Sequence, residues 1–170
     1  MRFVVTGEWN RNRLLQTIVV LYVVYVAGLW VTSALLYFSK MSLSYASVVE
    51  YYLGSEERFL QPRSYQGLLE VSHFHLFAMG MLLLVLTHLM LFVPLKNIWK
   101  ACLITLPFAA ALIDESGGWL VRFVHPGFAY LKIGGFLLLQ GSLAALIVVS
   151  LWASFRGSSE SYRGEPASEV

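Results

Sequence analysis

Residues 70–94 read EVSHFHLFAMGMLLLVLTHLMLFVP and carry three of the four histidines of the chain inside one apolar run. A helix rising 1.5 Å per residue over this length crosses the roughly 30 Å hydrocarbon core of a bilayer. Ionisable side chains at such depth cost free energy, so the histidines are the first candidates for function. With roughly 100° per residue, Glu70, His73, Phe77, Gly80, Leu84, Thr87 and His88 share a helix face, and His75 points roughly 200° away from His73. Gly80 offers a flat backbone patch between His73 and His88, and those two histidines are separated by roughly 22 Å of rise, near opposite leaflets. That spacing suits two stacked haems.

Working outward, three further apolar stretches of spanning length appear, giving spans at residues 14–38, 65–93, 97–118 and 128–152. The expected fold is all-α, an integral membrane four-helix bundle formed by one domain over residues 1–156, followed by a disordered cytoplasmic tail at 157–170. The third span reaches full length only if Asp114 and Glu115 lie in its last turn. After it, Ser116-Gly117-Gly118, Trp119–Val124 and His125-Pro126-Gly127 read as a turn-rich loop folding back over the bundle. Between the first two spans, Ser44 as N-cap and Gly54 as stop bound a short interfacial helix whose Val48, Val49, Tyr51 and Tyr52 can rest on the membrane surface.

Composition agrees with a membrane protein: 58% of residues are hydrophobic, 15% aromatic and only 13% charged. A net charge of +2 with no basic run excludes nucleic acid as a partner. Cys102 is the single cysteine, which leaves no intrachain disulfide, no covalent haem attachment and no thiolate cluster; its apolar setting predicts a buried, inert thiol. Arg2, Arg11, Arg13, Lys96, Lys100, Arg156 and Arg163 gather on one side, opposite Glu50, Glu56, Glu57, Asp114 and Glu115, so both termini are expected in the cytoplasm of a bacterial-type inner membrane. Trp9, Trp30, Trp99, Trp119 and Trp152 fall near span ends as an aromatic belt.

Depth matching brings the polar groups to the outer leaflet. His73, His75 and Asp114 lie at similar height, Glu70, Glu115 and Lys132 slightly higher, and His125 in the adjacent loop; His88 alone lies toward the cytoplasm. One reading is a b-type haem ligated by His73 or His75, with His125 as a candidate second ligand and Phe74, Phe77 and Phe123 as apolar walls. In this reading His88 either joins a partner subunit's ligand or is a structural contact. A haem there would exchange electrons with a periplasmic partner such as a cytochrome c, or with quinone. Another is a single Zn, Cu or Fe held by Glu70, His73, Asp114 or Glu115, and His125. The alternative without cofactor is an anchoring or assembly subunit in which Asp114 pairs with Lys132 and the histidines bond across helices. Met79 and Met81 point to different faces of the helix, and all three methionines of this span, with Met90, read as lipid-facing or core filler. No nucleophile with a supporting base and no inverted repeat is present, so the chain reads as a subunit of an oxidoreductase complex rather than an enzyme alone.

The second span, with His73-x-His75, then Gly80, then Thr87-His88, resembles the histidine-bearing helices of small four-helix membrane cytochromes b, the haem and quinone subunits of respiratory oxidoreductases. It is also similar to the H-x-H…G helix of haem-copper oxidase-like proteins. The resemblance extends over that helix and the number of spans. It implies haem-ligand roles for His73, His75 and His88, with respiratory redox subunits as partners.

Overall fold

A computed structural model describes residues 13–161, helical apart from short connections that include one isolated β-bridge between Ser55 and Leu60, with side chains through Phe155. Trp9, Arg2, Arg11, Arg163 and the expected tail from residue 162 onward lie outside the described residues. The chain runs through α1 (Arg13–Lys40), α2 (Tyr45–Leu53), α3 (Tyr65–Met90), α4 (Asn97–Phe123), a 3-10 turn (Pro126–Phe128) and α5 (Ala129–Ser161). α1, α3, α4 and α5 are each long and apolar enough to cross a membrane. The protein is therefore a multi-pass membrane protein in contact with lipid.

Burial follows from the solvent for which the sequence is written. Within the apolar windows only 17% of α1 and 11% of α3 and α4 is buried, against 39% of α5. α5 is the central helix, packed on α1, α3 and α4. Two clusters hold the bundle. Towards the Lys96 end, Val23, Leu83, Leu86, Met90, Ala110 and Leu146 interlock. At the other end Tyr37, Val48, Tyr52, Val121 and Phe136 do so, with the Tyr37 ring stacked on Phe136 at 3.8 Å between centroids. Polar side chains clip the helices together by bonding carbonyls in neighbouring spans: Tyr22 donates to Leu82 O at 2.9 Å and Trp30 Nε1 to Gln140 O at 3.0 Å. Trp30 is thus inside the bundle rather than in an aromatic belt.

The expected short helix is present as α2, with Ser44 accepting from Ser47 N at 3.3 Å and Gly54 (φ 83°) ending it. Its apolar side is not left to the membrane. Val48 and Tyr52 are buried against the bundle, where Tyr52 lies over Gly118.

The largest departure from the sequence reading is at the end of α4. Ser116-Gly117-Gly118 was expected to turn, and instead the helix continues to Phe123. The glycines serve close approach: a Cβ at Gly117 would stand 2.9 Å from Lys132 Cα, and one at Gly118 2.7 Å from the Tyr52 hydroxyl oxygen. Asp114 and Glu115 consequently sit well inside α4. Cys102, expected to be buried, is exposed on α4. α5 continues past residue 152 to Ser161, so the first residues of the segment read as a disordered tail are helical.

Candidate functional site

The site is built from two pairs of residues, one on α3 and one on α4. Ser64 caps α3 by accepting from Gly67 N at 3.1 Å, and two turns later Ser72 and His75, at i and i+3, face α4 together. Glu115 and Trp119, at i and i+4, face back from α4. Trp119 Nε1 donates to Ser72 Oγ at 2.7 Å, and the Ser72 hydroxyl donates in turn to Glu115 Oε1. The other carboxylate oxygen, Oε2, lies 3.1 Å from His75 Nδ1.

With Glu115 ionised, both of its oxygens accept and His75 donates from Nδ1. In the neutral imidazole this leaves the Nε2 lone pair unused. Ser72 is buried and the Glu115 side chain is 18% exposed, whereas the His75 side chain is 57% exposed. The dyad is thus anchored on its carboxylate side and open on its Nε2 side. Tyr65, Trp119 and Phe123 form an aromatic shelf beside it, with centroids 5.5 Å apart for Tyr65–Trp119 and 5.6 Å for Trp119–Phe123. His75 lies about 4 Å from the midpoint of α3, well within hydrocarbon.

The remaining candidates go elsewhere. Asp114 is neutralised by Lys132, whose Nζ lies 2.8 Å from Oδ1 and 2.9 Å from the Asp114 carbonyl oxygen. Glu70 accepts from Gln66 Nε2 at 3.0 Å on the exposed first turns of α3. His73 is exposed on another side of the helix, its ring edge to face with Phe74, and His88 is exposed beside Phe92. Nothing lies within 4 Å of a Cβ built on Gly80, so the patch between those two histidines is uncovered. His125 accepts from Gly127 N at 3.0 Å through Nδ1 and caps the 3-10 turn. A neutral imidazole accepting at Nδ1 carries its proton on Nε2, which is the tautomer opposite to that of His75.

Among the described residues, no three or more His, Cys, Asp or Glu side chains gather closely enough to hold a metal ion. The polar groups expected together at the outer leaflet thus resolve into a His75–Glu115 dyad, an Asp114–Lys132 ion pair and the separate Glu70, His73 and His125. Ser72 was not singled out from sequence, and Trp119 was read only as an aromatic-belt residue. Their signal was present: a small polar residue three before a histidine on one span, and an indole four after a glutamate on another.

A family model described as a transmembrane helical domain matches residues 42–161. Comparison with curated proteins and with solved structures gives no match.

Proposed function

This chain belongs to the Aq_1264_TM family, a transmembrane helical domain, and from that premise we propose that it is a membrane subunit of an electron-transfer complex, binding b-type haem through His75. The observation that carries this reading is the 3.1 Å contact between His75 Nδ1 and Glu115 Oε2, with Nε2 left open. Histidines that ligate iron or other metals regularly donate their second N–H to a carboxylate, which fixes the tautomer and raises the basicity of the ligating nitrogen. Of the four histidines only His75 has that arrangement. Ser72 and Trp119 hold the carboxylate in place, and Tyr65, Trp119 and Phe123 offer apolar surface beside it.

Bound there, haem supplies reversible one-electron chemistry. Arg2, Arg11, Arg13, Lys96, Lys100, Arg156 and Arg163 fall in the segments on the opposite side, against Lys40, Arg58, Arg63, Arg122 and Lys132 on this one, and that excess favours the outer half of a bacterial-type inner membrane for the dyad. From there the natural exchange partners are a periplasmic carrier of the cytochrome c kind or a membrane quinone. Glu115 acts in this reading as the residue that orients the ligand rather than as a ligand.

The test is a reduced-minus-oxidised visible spectrum of the purified protein with an iron assay on the same sample. A sharp b-type α-band that disappears in His75→Ala and persists in His125→Ala is the expected result. A full haem spectrum in His75→Ala would overturn the assignment.

A further inference from the structure

Between α4 and α5 runs a groove of about 200 Å³, walled by Leu103, Leu106 and Pro107 on one helix and Leu138, Gly141 and Ala145 on the other. Two residue choices open it. Pro107 puts a compact ring where a longer side chain would reach across, and Gly141 has no side chain at all, with nothing within 4 Å of a Cβ built there. The one polar side chain in the groove, Ser142, is already satisfied by donating to Leu139 O at 3.0 Å. The groove therefore suits a narrow, apolar guest. It shares no residue with the His75–Glu115 site.

Followed towards the Lys96 end of the spans, the groove leads to positive charge. At roughly 100° per residue, Lys96 and Trp99 lie within about 40° of the direction shared by Leu103, Leu106 and Pro107, and Trp152 within about 20° of that shared by Leu138, Gly141 and Ala145. Trp99 and Trp152 are both exposed, at 61% and 39%. Lys96, at the N-cap position of α4, is exposed and makes no side-chain cap bond. Lys100, half-buried on the next turn, adds a second ammonium and donates to Leu91 O at 2.8 Å. Residues 91–113 contain no carboxylate to neutralise the two lysines.

We propose that this groove holds one acyl chain of an anionic phospholipid, with Lys96 and Lys100 at its headgroup and Trp99 and Trp152 flanking its glycerol region. The inference stands apart from the haem reading. Width selects the guest first: a further helix, about 10 Å across with its side chains, is too broad for the groove, whereas a single hydrocarbon chain is not. The walls come next. They offer water no hydrogen bond, and an empty slot would forfeit dispersion contacts that a flexible chain recovers. Charge selects the headgroup, because basic side chains between spans at the level of the lipid phosphates recognise anionic lipids, and indoles favour the same level. Depth agrees as well. The groove walls on α4 lie about 10–17 Å along the helix from Lys96, and one leaflet contributes about 15 Å of hydrocarbon.

The experiment is native mass spectrometry of the full chain in mild detergent, titrated with phosphatidylglycerol or with phosphatidylcholine of identical acyl chains. One tightly held phosphatidylglycerol per chain, with phosphatidylcholine held more weakly, is the expected result. Each lysine should contribute about five-fold to that preference, the equivalent of about 1 kcal/mol per basic residue at an anionic membrane surface. Lys96→Gln combined with Lys100→Gln should therefore bring the two lipids close to parity. Gly141→Leu, which fills the groove, should lose both lipids while keeping its thermal unfolding in detergent, and Ala145→Leu repeats the comparison if Gly141→Leu does not fold. Equal retention of the two lipids by the wild type, or undiminished phosphatidylglycerol on a folded groove-filling variant, would overturn the proposal. Displacement of the lipid by glycerol phosphate, which has no acyl chain, would reduce the site to anion binding and overturn it too.

Discussion

His75 on α3 and Glu115 on α4 are joined across two membrane spans by a 3.1 Å contact from Nδ1 to Oε2, while Nε2 is left facing outward. Forty residues separate them in sequence, and the packing of α4 against α3 brings the carboxylate to the imidazole. A buried carboxylate that orients an exposed imidazole is an economical way to aim a lone pair in a medium without water.

If Glu115 aims His75, then its removal weakens ligand binding without removing a ligand. Glu115→Ala is expected to lower haem affinity by about 10- to 100-fold, the usual effect of losing such an orienting partner. Glu115→Gln, whose amide oxygen can still accept from Nδ1, should recover most of the loss. Haem titration of the apo protein, followed at the Soret band, checks both.

Ser72 is where α3 and α4 are tied, since its hydroxyl accepts from the Trp119 indole at 2.7 Å and donates to Glu115. Ser72→Ala leaves an indole N–H and a carboxylate oxygen each short of a partner. The expected cost is about 1–2 kcal/mol, at the upper end for interhelical bonds in membranes. Thermal unfolding in detergent should show the loss, and Ser72→Thr should restore much of it.

The Asp114–Lys132 pair is a different device. With side-chain exposures of 19% and 11%, it is an ion pair between α4 and α5 in which either charge alone would be stranded. Asp114→Asn or Lys132→Met should each destabilise by about 3–5 kcal/mol, whereas the double variant should regain a large part because no unpaired charge remains. A double-mutant cycle in unfolding free energy measures it. Equal, additive losses would mean that the two charges are not coupled.

The spans, the short helix and its Ser44 and Gly54 boundaries were legible because hydropathy and capping are local signals. The continuation of α4 through Ser116-Gly117-Gly118 was not. Glycine pairs read as turns from the chain alone, and only the positions of Lys132 and Tyr52 reveal that these two are small for the sake of packing. The site was half legible for a related reason. Depth follows from counting residues along a span, so His75, Asp114 and Glu115 were correctly placed at comparable heights. Azimuth depends on which helices become neighbours, and that separated His75–Glu115 from Asp114–Lys132 and left Glu70, His73 and His125 outside both. His88 is exposed and has no polar side-chain partner among the described residues.

The proposed orientation rests on the seven-to-five distribution of Lys and Arg between the two sides of the spans. In a Cys102→Ser background, Glu56→Cys should react with an impermeant maleimide added to intact cells. Lys96→Cys should react only after permeabilisation. Reversed labelling would place the His75–Glu115 dyad on the inner half of the membrane and remove the case for a periplasmic partner.

Tyr52 sets the response of the α2 cap to alkali. Its phenol is buried over Gly118, and this burial pushes its pKa up, with Tyr51, Asp114 and Glu115 adding to the rise and Arg63 opposing it. The folded state holds the proton more tightly than the unfolded chain, whose phenol titrates at about 10. The resulting stabilisation is fully present below that value and is lost as pH rises through the folded-state value, because the unfolded chain then releases its proton more readily. Raising the pH above about 10 should therefore loosen α2 before it affects the four spans. Hydrogen exchange of the α2 amides, compared between wild type and Tyr52→Phe, checks this: the variant has no phenol to ionise and should keep its cap in place over the same range. Gly118→Ala should instead loosen the cap at every pH, since its Cβ would stand 2.7 Å from the Tyr52 hydroxyl oxygen and 2.9 Å from two ring carbons. Overpacking of that kind costs about 1–3 kcal/mol. A wild-type cap in Gly118→Ala would mean that α2 is free to lift away from α4.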